Sequence, residues 1–209
     1  MDKKTRYSET LKRFAPEEFV AYLVDTILSS KVLFKIVPGR KSKLGDFRAN
    51  TQGEIPVITV NGDLNPYSFL VTTLHEIAHL RTFNKYGHRV NPHGEEWKNA
   101  FRELLIPVLD SKHLPHDLEK ALWKSFTNTK ASSCSDLNLS RALKKYDKPT
   151  LHQTNTLEEI PIHSHFSLSG KVFKKGNLRR SRYLCTDLAG KQFLVHALAT
   201  IEIIENHEK

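Results

Sequence analysis

The sequence predicts an α+β protein. Stretches of helical periodicity flank three short β-prone runs, and a second group of strands fills the chain after residue 160. With 39% hydrophobic and 26% charged residues in 209, the chain can bury a real core. Three segments are expected: a domain over residues 1–130, a helix and linker over 131–160, and a small basic β domain over 161–209.

The elements follow in order. Pro16 with Glu17 and Glu18 suits a first helical turn, because proline is tolerated there and acids favour the N-terminal dipole. Phe19, Val20, Leu23, Val24, Ile27 and Leu28 then recur at three and four residues, the pattern of an amphipathic helix. Val32–Val37, Leu44–Ala49 and Ile55–Val60 are strand candidates separated by Pro38-Gly39 and by Asn50-Thr51-Gln52-Gly53. They read as a small three-stranded sheet, antiparallel by first reading and mixed as the alternative. Asn65 as N-cap and Pro66 at the first position start a helix that runs to about Tyr86, where Gly87 ends it. Leu70, Thr73, Leu74 and Ile77 share one face of it, with His75 and His79 nearly opposite. A further helix starts near Gly94 with the stripe Trp97, Ala100, Phe101, Leu104, Leu105 and Val108; another starts near Pro115 with Leu118, Leu122 and Phe126. The polar run from Thr127 to Ser135 marks a boundary, a short helix covers Leu137–Tyr146, and residues 147–160 read as linker. Strands are expected around Gly170–Phe173, Tyr183–Cys185, Phe193–Val195 and Ile201–Ile204.

Composition narrows the function. No run approaches the roughly 18 apolar residues of a membrane span, and the charged start Met1–Arg6 has no signal-peptide pattern, so a soluble cytoplasmic monomer is expected. Cys134 and Cys185 read as two reduced thiols. The net charge of +9 is concentrated in two runs: Lys31, Lys35, Arg40, Lys41, Lys43 and Arg48, then Lys171, Lys174, Lys175, Arg179, Arg180 and Arg182. Both are candidate phosphate-backbone surfaces, or solvated hairpins that keep the chain soluble.

His75-Glu76-Ile77-Ala78-His79 matches H-E-x-x-H. Histidines four apart on a helix project from successive turns toward one point, where a zinc ion can take both. The glutamate between them is offset from the metal but close enough to take a proton from its water. A catalytic zinc needs a third protein ligand and an open position. His93, fourteen residues past His79, can return to the pair through a turn at Gly87; His88 is the rival and reads as an exposed loop residue. Glu95 or Glu96 could ligate instead, although both fit as partners of a helix dipole.

Over residues 8–127 the chain resembles the SprT-like (Spartan) metallopeptidases. The likeness rests on Leu74–His79, on His93-Gly94-Glu95-Glu96-Trp97, and upstream on Leu44–Arg48 and Ile58–Asn61. It implies a zincin-like α+β fold, one zinc ion on His75, His79 and His93, Glu76 as catalytic base, and proteolysis of DNA-bound or DNA-crosslinked proteins. Many members of that family carry a cysteine-built zinc ribbon after the protease; here only Cys185 lies in that region, and the basic strands from Lys171 to Arg182 take its place. These six residues are expected to bind DNA, single strands above all, with Phe173 or Tyr183 stacking on bases; core packing is the competing role for the two aromatics. The substrate peptide is expected along an exposed sheet edge near residues 55–60. Tyr86, His88 and Arg89 are placed where an oxyanion donor could stand. Two other readings compete: a nucleic-acid-binding module with a structural or inactive zinc site, and a peptidase with no DNA role.

Overall fold

A computed structural model describes residues 2–40, 42–49, 55–127, 136–148 and 155–204. Lys41, the Asn50–Gly53 turn, Cys134 with the polar boundary at 128–135, and residues 149–154 of the expected linker lie outside them. Among the described residues the architecture is α+β, with six α-helices, a three-stranded mixed sheet and a six-stranded antiparallel one. The chain groups into two compact units, one holding residues 2–127 with 142–147, the other 136–141 with the C-terminal strands.

In the first unit, α1 (Lys3–Leu11) is capped by Asp2, whose carboxylate accepts from Thr5 N–H at 2.7 Å. α2 (Glu17–Ser29) buries the predicted stripe of Phe19, Val20, Leu23, Val24 and Ile27. Strands β1 (Leu33–Val37), β2 (Gly45–Arg48) and β3 (Val57–Asn61) stand in the order β1-β3-β2. β1 runs parallel to β3 and β2 antiparallel to it, so the antiparallel first reading gives way to the mixed one. The same order corrects the expected substrate edge: residues 57–61 are the central strand, paired on both sides, and the edges are β1 and β2.

α3 (Pro66–Tyr86) begins as predicted, with the Asn65 side chain accepting from Ser68 N–H at 2.9 Å and Pro66 in the first turn. It ends at Gly87, whose φ of 63° is a conformation glycine adopts without strain. Its 21 residues span about 31 Å. It is not a surface helix with one apolar stripe: every residue from Phe69 to Ala78 is buried, so the histidine face is enclosed too. α4 (Glu95–Asp110) and α5 (His116–Thr127) follow, and α3 packs chiefly against α4 and β2.

α6 (Leu137–Lys144) is opened by Asp136, whose side chain accepts from the N–H groups of Asn138 and Leu139. In the second unit, β5 (His165–Leu168), β6 (Lys171–Arg179), β7 (Arg182–Asp187) and β8 (Gln192–His196) form a meander, and β9 (Thr200–Ile203) returns to pair with β5. β4 (Asn155–Thr156) extends the sheet on β9. The meander's core is Leu157, Ile160, Phe166, Phe173, Cys185, Val195 and Ile201. Residues 155–160, read in the sequence as linker, therefore supply a strand and two core side chains; the polar run Asn155, Thr156, Glu158 and Glu159 hides the two apolar anchors.

Candidate metal centre

α3 presents His75 and His79 on one face, one turn apart, as the four-residue spacing requires. His93 reaches them from a tight turn before α4, closed by Gly94 N–H donating to Asn91 C=O at 2.9 Å. Its backbone sits at φ 61°, a left-handed conformation uncommon for residues other than glycine. The three Nε2 atoms lie 3.1 Å from one another. A triangle of that side has its corners about 1.8 Å from its centre, close to the roughly 2.0–2.1 Å of a zinc–imidazole bond, so the three nitrogens are spaced to share one ion. No network of N–H donors explains the triangle as well, because three ring nitrogens facing one another need a shared acceptor of lone pairs. This group could hold a metal ion.

The electrostatics favour that use. Burial lowers the pKa of all three rings: His75 well below its usual value, with a contribution from His79 and His93; His79 to about 4, with a contribution from His93; and His93 by burial alone. Neutral imidazole is the form that ligates. Trp97, 1% exposed, is the floor of the site, its ring centroid 4.6, 5.3 and 4.7 Å from those of His75, His79 and His93. Phe101 stacks behind it at 5.0 Å and 18°. His75 is buried while His79 and His93 are partly exposed, so the site is walled on the Trp97 side and accessible on the other.

Glu76 is 7% exposed and lies against β2, where the Phe47 backbone N–H favours its carboxylate form. Burial, helped by Asp46, raises its pKa to about 7 against the opposing pull of that N–H, Arg40 and Lys43. Gly45 makes the approach of β2 possible. A Cβ there would stand 2.6 Å from Glu76 Oε1, 2.7 Å from its Cγ and 2.8 Å from Thr72 Cγ2. Neither this contact nor the floor formed by Trp97 was read from the sequence. A glycine inside a strand is the signal for the first, since it marks close approach of another group.

The remaining candidates are placed elsewhere. His88 is exposed and packs edge-on against Phe83 at 5.0 Å, outside the three-histidine group. Glu95 is exposed and pairs with Lys98 at 2.8 Å, in the first turn of α4 with Glu96. In the first basic run, Lys43 and Arg48 both bind Asp46, and Arg40 donates to Asn61.

In the second run the six expected DNA contacts separate. Lys175 is 2% exposed; its ammonium donates to Ile160 C=O at 2.6 Å and Glu158 C=O at 3.3 Å and lies 3.9 Å above the Tyr183 ring. It ties residues 158–160 to β6 and is not a phosphate contact. Phe173 is core, stacked on Phe166 at 5.7 Å, and Tyr183 packs against the same core, so the base-stacking role expected for them is replaced by packing. Lys171, Lys174, Arg179, Arg180 and Arg182 are exposed.

The fold and the site together define an α+β protein with a three-histidine group able to take a metal ion. Residues 26–117, which contain β1 to β3, α3, α4 and all three histidines, match the model of the SprT-like family. No curated protein and no solved structure matches the chain. Among the described residues no helix is long and apolar enough to cross a membrane.

Proposed function

We propose that this chain is a zinc-dependent endopeptidase of the SprT-like type, acting on DNA-bound or DNA-crosslinked proteins, with Glu76 as general base. The observation that carries the reading is the convergence of three Nε2 atoms at 3.1 Å beside a buried carboxylate. His75, His79 and His93 would hold the ion. A bound zinc ion supplies Lewis-acid polarisation of the scissile carbonyl and acidifies the attacking water.

The chain's own residues do the rest. Glu76, oriented by Phe47 N–H and kept dry by β2, takes the proton of the attacking water and passes it to the leaving amine. Trp97 fixes the rings and excludes water from behind them. Substrate adds along the β2 edge: Asn61 N–H donates to Leu44 C=O, so the ladder's alternation turns the backbone groups of Gly45 and Phe47 away from β3, toward the outer edge of the sheet. The DNA part of the reading rests on the family match and on the exposed cations of β6 and β7.

The test is Glu76→Gln in the full chain, assayed on a DNA-binding protein with and without DNA. The expected result is loss of cleavage with one zinc retained, and stimulation of the wild type by DNA. Cleavage by the variant at the wild-type rate removes Glu76 from the chemistry, and indifference to DNA removes the DNA-bound substrate.

A further inference from the structure

We infer that the β6–β7 hairpin is a gripping surface for the phosphate backbone of duplex nucleic acid, read without base contacts. The inference deepens the DNA part of the proposed function and is independent of the metal centre.

The register sorts the cations. Lys174 pairs with Thr186 and Arg179 with Arg182, and residues 182, 184 and 186 of β7 share one face, so Lys174, Arg179 and Arg182 stand together on the face opposite the core. In the next strand Arg182 and Leu184 pair with His196 and Leu194. No carboxylate stands on this face of β6, β7 and β8, and among the described residues none pairs with Lys174, Arg179, Arg180 or Arg182. Arginines directly opposite each other in a hairpin repel. A fold selected for stability alone puts an acid or a threonine at one of the two positions.

The turn repeats the anomaly. Arg180 and Ser181 form a two-residue loop in which only Arg180 has positive φ, 59°, the pattern of a turn that favours glycine at its first central position. A long cationic side chain is held there against the backbone preference and projects into solvent. Strained backbone and uncompensated like charge at one hairpin tip point to a polyanion as the missing partner. That the ligand is duplex follows from what the face lacks. Its apolar positions are Val172, Leu184 and Leu194, and the phenylalanine and tyrosine rings of the unit face the core, so the face offers no Phe, Tyr or Trp platform for unpaired bases.

The experiment measures binding of the full chain, carrying Glu76→Gln so that cleavage does not intervene, to a 20-bp duplex of arbitrary sequence. The comparison probes are a single strand of equal length and vesicles of phosphatidylserine and phosphatidylcholine. With Lys174, Arg179, Arg180 and Arg182 as contacts, the slope of log K against log salt is expected at about −3.6. Arg179→Ser with Arg182→Ser is expected to flatten it by about 1.8 and to weaken duplex binding at least about tenfold at low salt. Arg180→Gly is expected to weaken binding while raising the melting temperature, a combination that general damage to the fold does not produce. Duplex binding unchanged in the double variant overturns the surface, as does a lower melting temperature in Arg180→Gly. Tighter binding of the single strand overturns the backbone-only reading. Vesicle binding without duplex binding assigns the face to an anionic membrane instead. Loss of DNA-stimulated cleavage is read separately, so a chain that cleaves with DNA yet ignores these substitutions keeps the proposed function and loses this surface.

Discussion

Gly45→Ala isolates the contact between β2 and the carboxylate of Glu76. The added methyl would meet three side-chain atoms at 2.6, 2.7 and 2.8 Å, against an ordinary carbon contact of about 3.5–4.0 Å, so about 0.7 Å or more of relief is needed. The atoms that must move belong to Glu76 and Thr72, both buried on a helix that is itself enclosed. Overpacking of this kind costs about 1–3 kcal/mol. Removing glycine's freedom from the unfolded chain returns about 0.4–1 kcal/mol, leaving a net loss of about 1–2 kcal/mol. At roughly 2–4 °C per kcal/mol, melting is expected about 2–8 °C below wild type. Displacing the carboxylate by part of an ångström is expected to lower turnover by up to about 100-fold, while chelator competition finds zinc affinity unchanged because no histidine is touched. Wild-type melting together with wild-type turnover would refute the reasoning, since it would mean that β2 and Glu76 are not in the contact described.

Other substitutions probe the remaining supports. Trp97→Ala removes the floor under three rings and is expected to cost about 3–5 kcal/mol; zinc affinity, read by competition with a chromophoric chelator, is expected to fall about 10–100-fold. Asn65→Ala removes the cap of α3 and the side-chain bonds to Leu143 C=O and Asp147, so a denaturant midpoint shift equivalent to at least about 1 kcal/mol is expected. Lys175→Ala removes the donor to the buried Ile160 carbonyl and is expected to destabilise the chain by about 1–3 kcal/mol, with duplex affinity and its salt slope unchanged. Removing metal by chelation is expected to lower the melting temperature, and restored zinc to recover it.

How much of this was legible depended on whether local chemistry or tertiary pairing decides the feature. α3 could be read to the residue because Asn65, Pro66 and Gly87 set its ends by caps and backbone preference. The convergence of His75 and His79 follows from helix geometry, whereas the approach of His93 needs a left-handed turn that no propensity announces at a histidine. Strand direction was not legible, since the parallel pairing of β1 with β3 is set by the course of the chain between them and not by the composition of either. The sequence also hid which face of α3 is buried: its apolar stripe is real, but α4 and β2 close over the polar face as well. Lys175 is the instructive error. Grouping it with its basic neighbours made it a phosphate contact, yet strict alternation from Phe173 already places it on the core side.

The zinc content of the purified full chain tests the central claim most directly. One equivalent bound to wild type, lost on His93→Ala and retained on His88→Ala, is the result predicted by three imidazoles meeting at a shared point. A wild type that takes up no zinc when it is supplied, or a variant lacking His75, His79 and His93 that still carries one equivalent, would contradict it.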